Sequence, residues 1–247
     1  RAGLAGLPDD MQGAGFEDER VRRALVSYAQ YVAVNYQPKY LAIGVEMNTY
    51  YDHQPQDFEH FETLYEEAYD GVKEVAPGTL VFPTFQLERM QGRLPDGERA
   101  DAQWSLLDRF EPRLDVLAVS SYPGLVFEHP GEIPDSYYSR LSTYSDRPIA
   151  IAQTGYQSGP GRASQADDSE LEQANFVMRM LDDTESLEMQ FVVWFTAWDP
   201  PIAAEPPFDL LQHLGLLYTD GSEKVSWSVW MEAASRPLAG ASSAARP

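Results

Sequence analysis

Glu46 closes an uncharged run, Leu41-Ala42-Ile43-Gly44-Val45, and is followed by Met47 and Asn48. A carboxyl at the end of such a run is partly shielded from water. That setting favours its protonated form and suits a general acid. The competing reading is a glutamate paired to an arginine or capping the next turn. Four further segments end in groups able to reach a common mouth. Pro83-Thr84-Phe85-Gln86-Leu87-Glu88 offers the Gln86 amide, with Glu88 placed in the loop as a solvated charge. Ser120-Ser121-Tyr122-Pro123 presents a tyrosine backed by proline, whose hydroxyl could orient a carboxylate. Gln153-Thr154-Gly155-Tyr156 carries an amide that can hydrogen-bond but can serve neither as nucleophile nor as base. Trp194-Phe195-Thr196-Ala197-Trp198-Asp199 brings two tryptophans, which suit a flat ligand or alternatively core packing.

Elements that would position these groups recur in a regular order. A helix is expected from Phe16 to about Tyr36, with Glu17, Asp18 and Glu19 in its first turn. Val21, Leu25, Tyr28, Val32 and Tyr36 mark one face, and Pro38 ends it. Further helices are expected over about 57–75, 100–110, 135–144, 168–187 and 224–234. Apolar runs at 40–46, 79–85, 115–120, 148–153 and 190–195 are continuous rather than alternating, as in parallel strands buried on both faces. Five strands, each followed by a helix and preceded by one more, imply a parallel α/β sheet. The turns entering the strands are short, and the loops leaving them are long and rich in Tyr, Trp, Glu and Asp. A (β/α)8 barrel places its chemistry on the second kind of loop. Five strands cannot close a barrel, and an open sheet would leave apolar edges at Ile43 and Val193. The expectation is therefore a (β/α)8 TIM barrel over residues 1–237 truncated to its last five βα units, strands four to eight, with a disordered tail at 238–247. The alternative, an open doubly wound sheet, lacks its usual glycine-rich phosphate loop.

Composition narrows the classes of partner. Eighteen basic residues stand against 39 acidic ones, a net charge of -21 over 247 residues. That field disfavours nucleic acid and anionic lipid and suits a neutral or cationic ligand; solubility alone would produce the same balance. No apolar run reaches the length of a membrane span. There is no cysteine, so disulfides, zinc thiolates and cysteine nucleophiles are excluded. His53, His60, His129 and His213 are scattered, and neither a metal site nor a cofactor is expected. An absence of cysteine is compatible with a secreted or periplasmic protein, and a leader could precede Arg1. Localisation and oligomeric state are not legible.

Taken in order, these segments resemble clan A glycoside hydrolases. Ile43-Gly44-Val45-Glu46-Met47-Asn48 resembles the strand-four Gly-Asn-Glu that carries the acid/base. Ala118 to Pro123 is similar to the strand-six Ser-Tyr-Tyr-Pro of the endo-β-1,4-galactanase family. Val193 to Trp198 is similar to that family's strand-eight Tyr-Trp-Glu-Pro-Ala-Trp. Gly215 to Gly221 suits the run into its last helix. The resemblance implies a carbohydrate-binding cleft with Glu46 as general acid/base. It implies Asn48, Gln86, Tyr122, Tyr156, Trp194 and Trp198 as substrate contacts, and a nucleophile on strand seven. Two departures matter. The strand-seven Ile-Ala-Glu-Thr-Gly has Gln153 in place of its glutamate, and Val45 stands where the family has asparagine. A retaining mechanism needs two carboxyls about 5–5.5 Å apart, so Gln153 removes the covalent step.

Three readings follow: a hydrolase of β-linked glycans whose nucleophile has been replaced, a catalytically silent carbohydrate-binding barrel, or an α/β module that binds a protein. Glu88 or Asp199 could also have taken over the missing carboxyl's task. A substrate-assisted chitinase fits less well, because Tyr40 to Val45 contain no acid.

Overall fold

The computed structural model describes residues 7–95, 98–159, 169–202 and 208–236. The expected tail at 238–247 and the start of the helix expected at 168 lie outside the described residues. In chain order the elements are α1 (Glu19–Tyr36), β1 (Tyr40–Ala42), α2 (Met47–His53), α3 (Pro55–Val75), β2 (Leu80–Phe82), β3 (Thr84–Gln86) and α4 (Leu87–Met90). Then follow β4 (Leu117–Ser121), α5 (Leu141–Tyr144), β5 (Ile149–Thr154), α6 (Ser169–Thr184), β6 (Val192–Trp194) and α7 (Val225–Ala234). Short 3-10 helices fill several of the connections. The chain divides into two compact units. One comprises Arg1–Ser121, Ser136–Thr154 and Ser186–Val193; the other comprises Tyr122–Asp135, Gly155–Glu185 and Trp194–Pro247.

The first unit holds the strand pattern. β1 pairs with β2, β3 with β4 and β4 with β5, all parallel, and β6 extends the second sheet beyond β5. One strand was expected at 79–85. Pro83, which has no N–H to donate, separates it into β2 and β3, and each half joins a different sheet. The described strands thus form sheets of two and four and close no ring by themselves. The first and last strands do approach at their starts. The Tyr40 hydroxyl donates to Gln190 Oε1 at 3.1 Å, and its ring lies 4.7 Å from that of Phe191. Val45 and Val193, by contrast, are exposed.

Helix packing buries one regular stripe of α3 and departs from the expected face in α1. Pro55 starts α3 at a position where its missing N–H costs nothing. Phe58, Phe61, Leu64, Tyr65, Ala68 and Val72 then bury one stripe. Asp18 caps α1 by accepting the Arg20 N–H at 2.8 Å, and Gln37, in left-handed conformation, ends it ahead of Pro38. Of the α1 face marked by Val21, Leu25, Tyr28, Val32 and Tyr36, only Val21 is fully buried. Tyr28 is 65% exposed and Tyr36 70%. The packed side is rotated towards Val26, Gln30 and Ala33 because α3 offers Gly71 there. A methyl group on Gly71 would lie 3.3 Å from Val26 Cγ1, and the Gln30 amide donates to the Gly71 carbonyl at 3.1 Å. The segments expected as helices at 100–110 and 135–144 are reduced to a 3-10 helix, Trp104–Arg109, and to the single turn of α5.

Gly44 determines how the chain leaves β1. Its φ is +90°, and a Cβ there would meet Phe61 Cζ at 2.6 Å and Met47 Sδ at 2.7 Å. Gly44→Ala is expected to destabilise the protein by about 1–3 kcal/mol through backbone strain together with this overlap. Urea unfolding measures it, and an unchanged midpoint would show that the turn tolerates a side chain.

The second unit is organised by α6 and α7. The Gln173 amide, fully buried, donates to the carbonyls of Tyr156 at 2.8 Å and Gly215 at 3.2 Å, and it accepts the Ser226 hydroxyl of α7. Arg179 ties α6 to the connection between β4 and α5 through the Ile133 carbonyl at 2.6 Å and Asp135 at 2.9 Å. No described helix is long and apolar enough to cross a membrane.

Candidate functional site

β1 leads through Ile43 and the Gly44 turn to Glu46, which precedes α2 in left-handed conformation, φ 51° and ψ 50°. Such a backbone is uncommon for a residue with a side chain, and it persists where surrounding contacts enforce it. Two contacts do so here. The Glu46 N–H donates to Thr84 Oγ1 at 2.9 Å, and Glu46 Oε1 accepts the Ser120 hydroxyl at 2.6 Å. Thr84 begins β3 and Ser120 lies near the end of β4, so two strands hold the carboxyl.

Ser120 also belongs to a row that crosses three strands. It is the register partner of Gln86 on β3 and of Gln153 on β5. The second pairing depends on a bulge. Val119 pairs with Ile151, yet Ser120 pairs with Gln153, so Ala152 is extra on β5. Under regular pairing beyond Val119, Gln153 would stand opposite Ser121. Bulges that re-aim a side chain in this way are common beside functional sites. The first unit thus assembles a carboxyl, a hydroxyl and two amides at the ends of neighbouring parallel strands. Ser120 and Gln86 are buried, while Glu46 and Gln153 are partly accessible. The set can hydrogen-bond a hydroxyl-rich ligand, and Glu46 can exchange a proton with it.

Asn48 performs a different task. It is fully buried, its amide donates to the Gln86 carbonyl at 3.0 Å and to Gln103 Oε1 at 3.1 Å, and its oxygen accepts the Gln86 N–H at 2.8 Å. It therefore straps α2 to the end of β3. Gln103 continues the strap to Asp52, at 2.7 Å, and Arg89 pairs with the same carboxylate.

Glu88 corrects an expectation. Rather than a solvated loop charge, it is fully buried on α4. Its Oε1 accepts the Tyr137 hydroxyl and, at 3.2 Å, that of Ser121. Burial, with the Glu88 carboxyl second, holds the Tyr137 phenol well above its usual range. Its position two residues after β3 draws Glu88 inward, because α4 turns there instead of running out as a loop.

The remaining candidates lie in the second unit. Tyr156 is fully buried and stacks on Phe176 with ring centres 5.0 Å apart, and its hydroxyl donates to the Glu128 carbonyl at 2.8 Å. Trp194 is buried against Phe176 and Trp230, and its indole N–H donates to the Leu214 carbonyl at 2.8 Å. Tyr122 packs with Leu125 and Leu214. These three rings are core components of their unit. Trp198 is different: it is 55% exposed. Asp199, next to it, is buried and accepts from Lys224 Nζ at 2.6 Å and from the Gly215 N–H at 2.9 Å. Among the described residues no group of three or more His, Asp or Glu side chains could hold a metal ion.

Parallel strands joined by helices define the class: an α/β fold built on parallel sheets. Neither a protein-family model nor a curated protein sequence matches the chain. Solved structures do. GH5_18 from Streptomyces cattleya in complex with GlcNAc aligns with a TM-score of 0.66 at 20% identity, over 98% of this chain and 60% of that one. The exo-β-1,4-mannosidase Op5Man5 from Opitutaceae bacterium strain TAV5 aligns at 0.63 and 16%, over 92% and 42%. A glycoside hydrolase family 17 β-1,3-glucanosyltransferase from Rhizomucor miehei aligns at 0.55 and 18%, over 84% and 71%. At these identities the shared property is the fold. The chain spans about two-fifths to seven-tenths of the length of these three structures.

Proposed function

We propose that residues 1–237 are the last five βα units of a glycoside hydrolase-like (β/α)8 barrel that binds β-linked glycans. In this reading Glu46 is its general acid/base and Gln153 occupies the nucleophile position. The observation that carries it is the link through Ser120: one hydroxyl touches Glu46, and the same residue is in register with Gln86 and Gln153. The positive φ at Glu46 and the bulge before Gln153 point the same way, since neither is needed to build the strands. The solved structures that share the fold include enzymes named for β-1,4-mannosidase and β-1,3-glucanosyltransferase activity. Their fold supports a β-linked glycan as the ligand class. Of the aromatic candidates, Trp198 is the one whose exposure suits sugar stacking. The galactanase family remains a resemblance of short motifs.

An amide at position 153 favours the silent carbohydrate-binding form as the second reading, because no carboxyl in the row could attack an anomeric carbon. Gln153→Glu separates the two. Made in the full protein, it is expected to raise hydrolysis of aryl β-glycosides by about 10³-fold or more over the parent, as restoring a missing catalytic group does elsewhere. A panel of gluco, galacto and manno substrates covers the unknown sugar. No turnover with any of them, while parent and variant both bind β-glycans, would leave the binding barrel. No binding by either on a glycan array would favour a protein partner.

A further inference from the structure

We propose that Ser120 is the positioning residue for Glu46 and decides which oxygen of that carboxyl handles the proton. This rests on the reading of Glu46 as acid/base. Ser120 is buried, and its hydroxyl donates to Oε1 at 2.6 Å. A hydrogen bond to a carboxylate this short restrains the rotation of the group and occupies the lone pair it meets. Oε2 is then the oxygen that carries a proton to the leaving group and later takes one from the incoming water. The backbone of Glu46 is fixed independently by Thr84, and the left-handed φ prevents the residue from relaxing into the following helix. With the backbone pinned, the remaining freedom of Glu46 lies in its side chain, and Ser120 removes it. The same strand position fixes Gln153 opposite, so Ser120 references both groups to one point on β4.

A serine that only fills space would affect every substrate alike. A serine that aims the acid matters most where the leaving group needs a proton. In the Gln153→Glu protein, Ser120→Ala is therefore expected to lower kcat about 10- to 100-fold for a phenyl β-glycoside. KM should stay nearly constant. For the 2,4-dinitrophenyl β-glycoside of the same sugar, kcat/KM, which reports the first step and whose leaving group departs unaided, should change little. Ser120→Thr, which keeps the hydroxyl, should recover most of the loss. An equal fall for both substrates, or none for either, would overturn the assignment.

A second measurement does not need turnover. With glutamate labelled by 13C at the side-chain carboxyl, and the Glu46 signal identified by its loss in Glu46→Gln, relaxation reports the mobility of that group in the parent protein. Greater mobility in Ser120→Ala, reversed in Ser120→Thr, supports the positioning role even if the Gln153→Glu protein hydrolyses nothing, an outcome that would count against the hydrolase reading alone. A Glu46 carboxyl equally rigid in all three proteins would overturn the proposal.

Discussion

Glu46→Gln in the Gln153→Glu protein is expected to lower kcat/KM for a phenyl β-glycoside by about 10²- to 10⁴-fold, the range a positioned general acid contributes. The substitution is chosen for what it preserves. A glutamine oxygen still accepts the Ser120 hydroxyl, and the backbone N–H still reaches Thr84 Oγ1, so the contacts that hold position 46 remain available. The turn at Gly44 is untouched. What disappears is the capacity to give and take a proton. The unfolding midpoint should therefore move little while turnover collapses. A 2,4-dinitrophenyl leaving group should show a much smaller loss in the first step, because it needs no protonation. Steady-state rates for both substrates, with urea unfolding alongside, make the comparison. Full activity towards the phenyl glycoside would remove Glu46 from the chemistry and transfer the question to another carboxyl. Glu88 is poorly placed to inherit it, since the residue is fully buried and engaged by the Tyr137 and Ser121 hydroxyls.

Asp199→Ala should have the largest effect on stability, about 3–5 kcal/mol, because it leaves a buried ammonium without its counter-charge. Lys224 is almost wholly enclosed. Its Nζ donates to Asp199 Oδ1 at 2.6 Å and to Ser158 Oγ at 2.7 Å. Burial pushes the Lys224 ammonium below its ordinary range, and Asp199 works against that shift. The same carboxylate oxygen accepts the Gly215 N–H, so its loss also strands a backbone donor. Lys224→Met on top of Asp199→Ala removes the uncompensated charge and should recover much of the stability, as replacement of buried ion pairs by apolar groups often does. Unfolding free energies of the two single variants and the double variant form the cycle. Additive losses would mean that the pair is not coupled and that Lys224 finds other solvation. This arrangement also bears on function: a carboxylate committed to a buried lysine and a backbone amide is a structural group, which disfavours Asp199 as a substitute nucleophile.

What the amino-acid order determined by itself was the sequence of elements. Continuous apolar runs identified the strands at Leu117–Ser121 and Ile149–Thr154, because a parallel strand covered on both faces has no polar side to display. Pro38 marked the end of α1 through backbone chemistry that acts within a few residues. The placement of Glu46 after a strand followed from the same local signals. Tertiary structure decided which side chains meet. Nothing local to Ser120 shows that its hydroxyl ends on a carboxyl 74 positions earlier, or that one extra residue on β5 brings Gln153 opposite it. Nor does spacing distinguish Trp194, enclosed with its N–H satisfied, from Trp198 four residues later and in water. The same holds for Glu88, whose charge suggested solvent until α4 turned it inward. Hydrophobic period and capping report forces between neighbours in the chain. Burial of a particular tip depends on elements far apart in sequence, and those contacts exist only once the chain has folded.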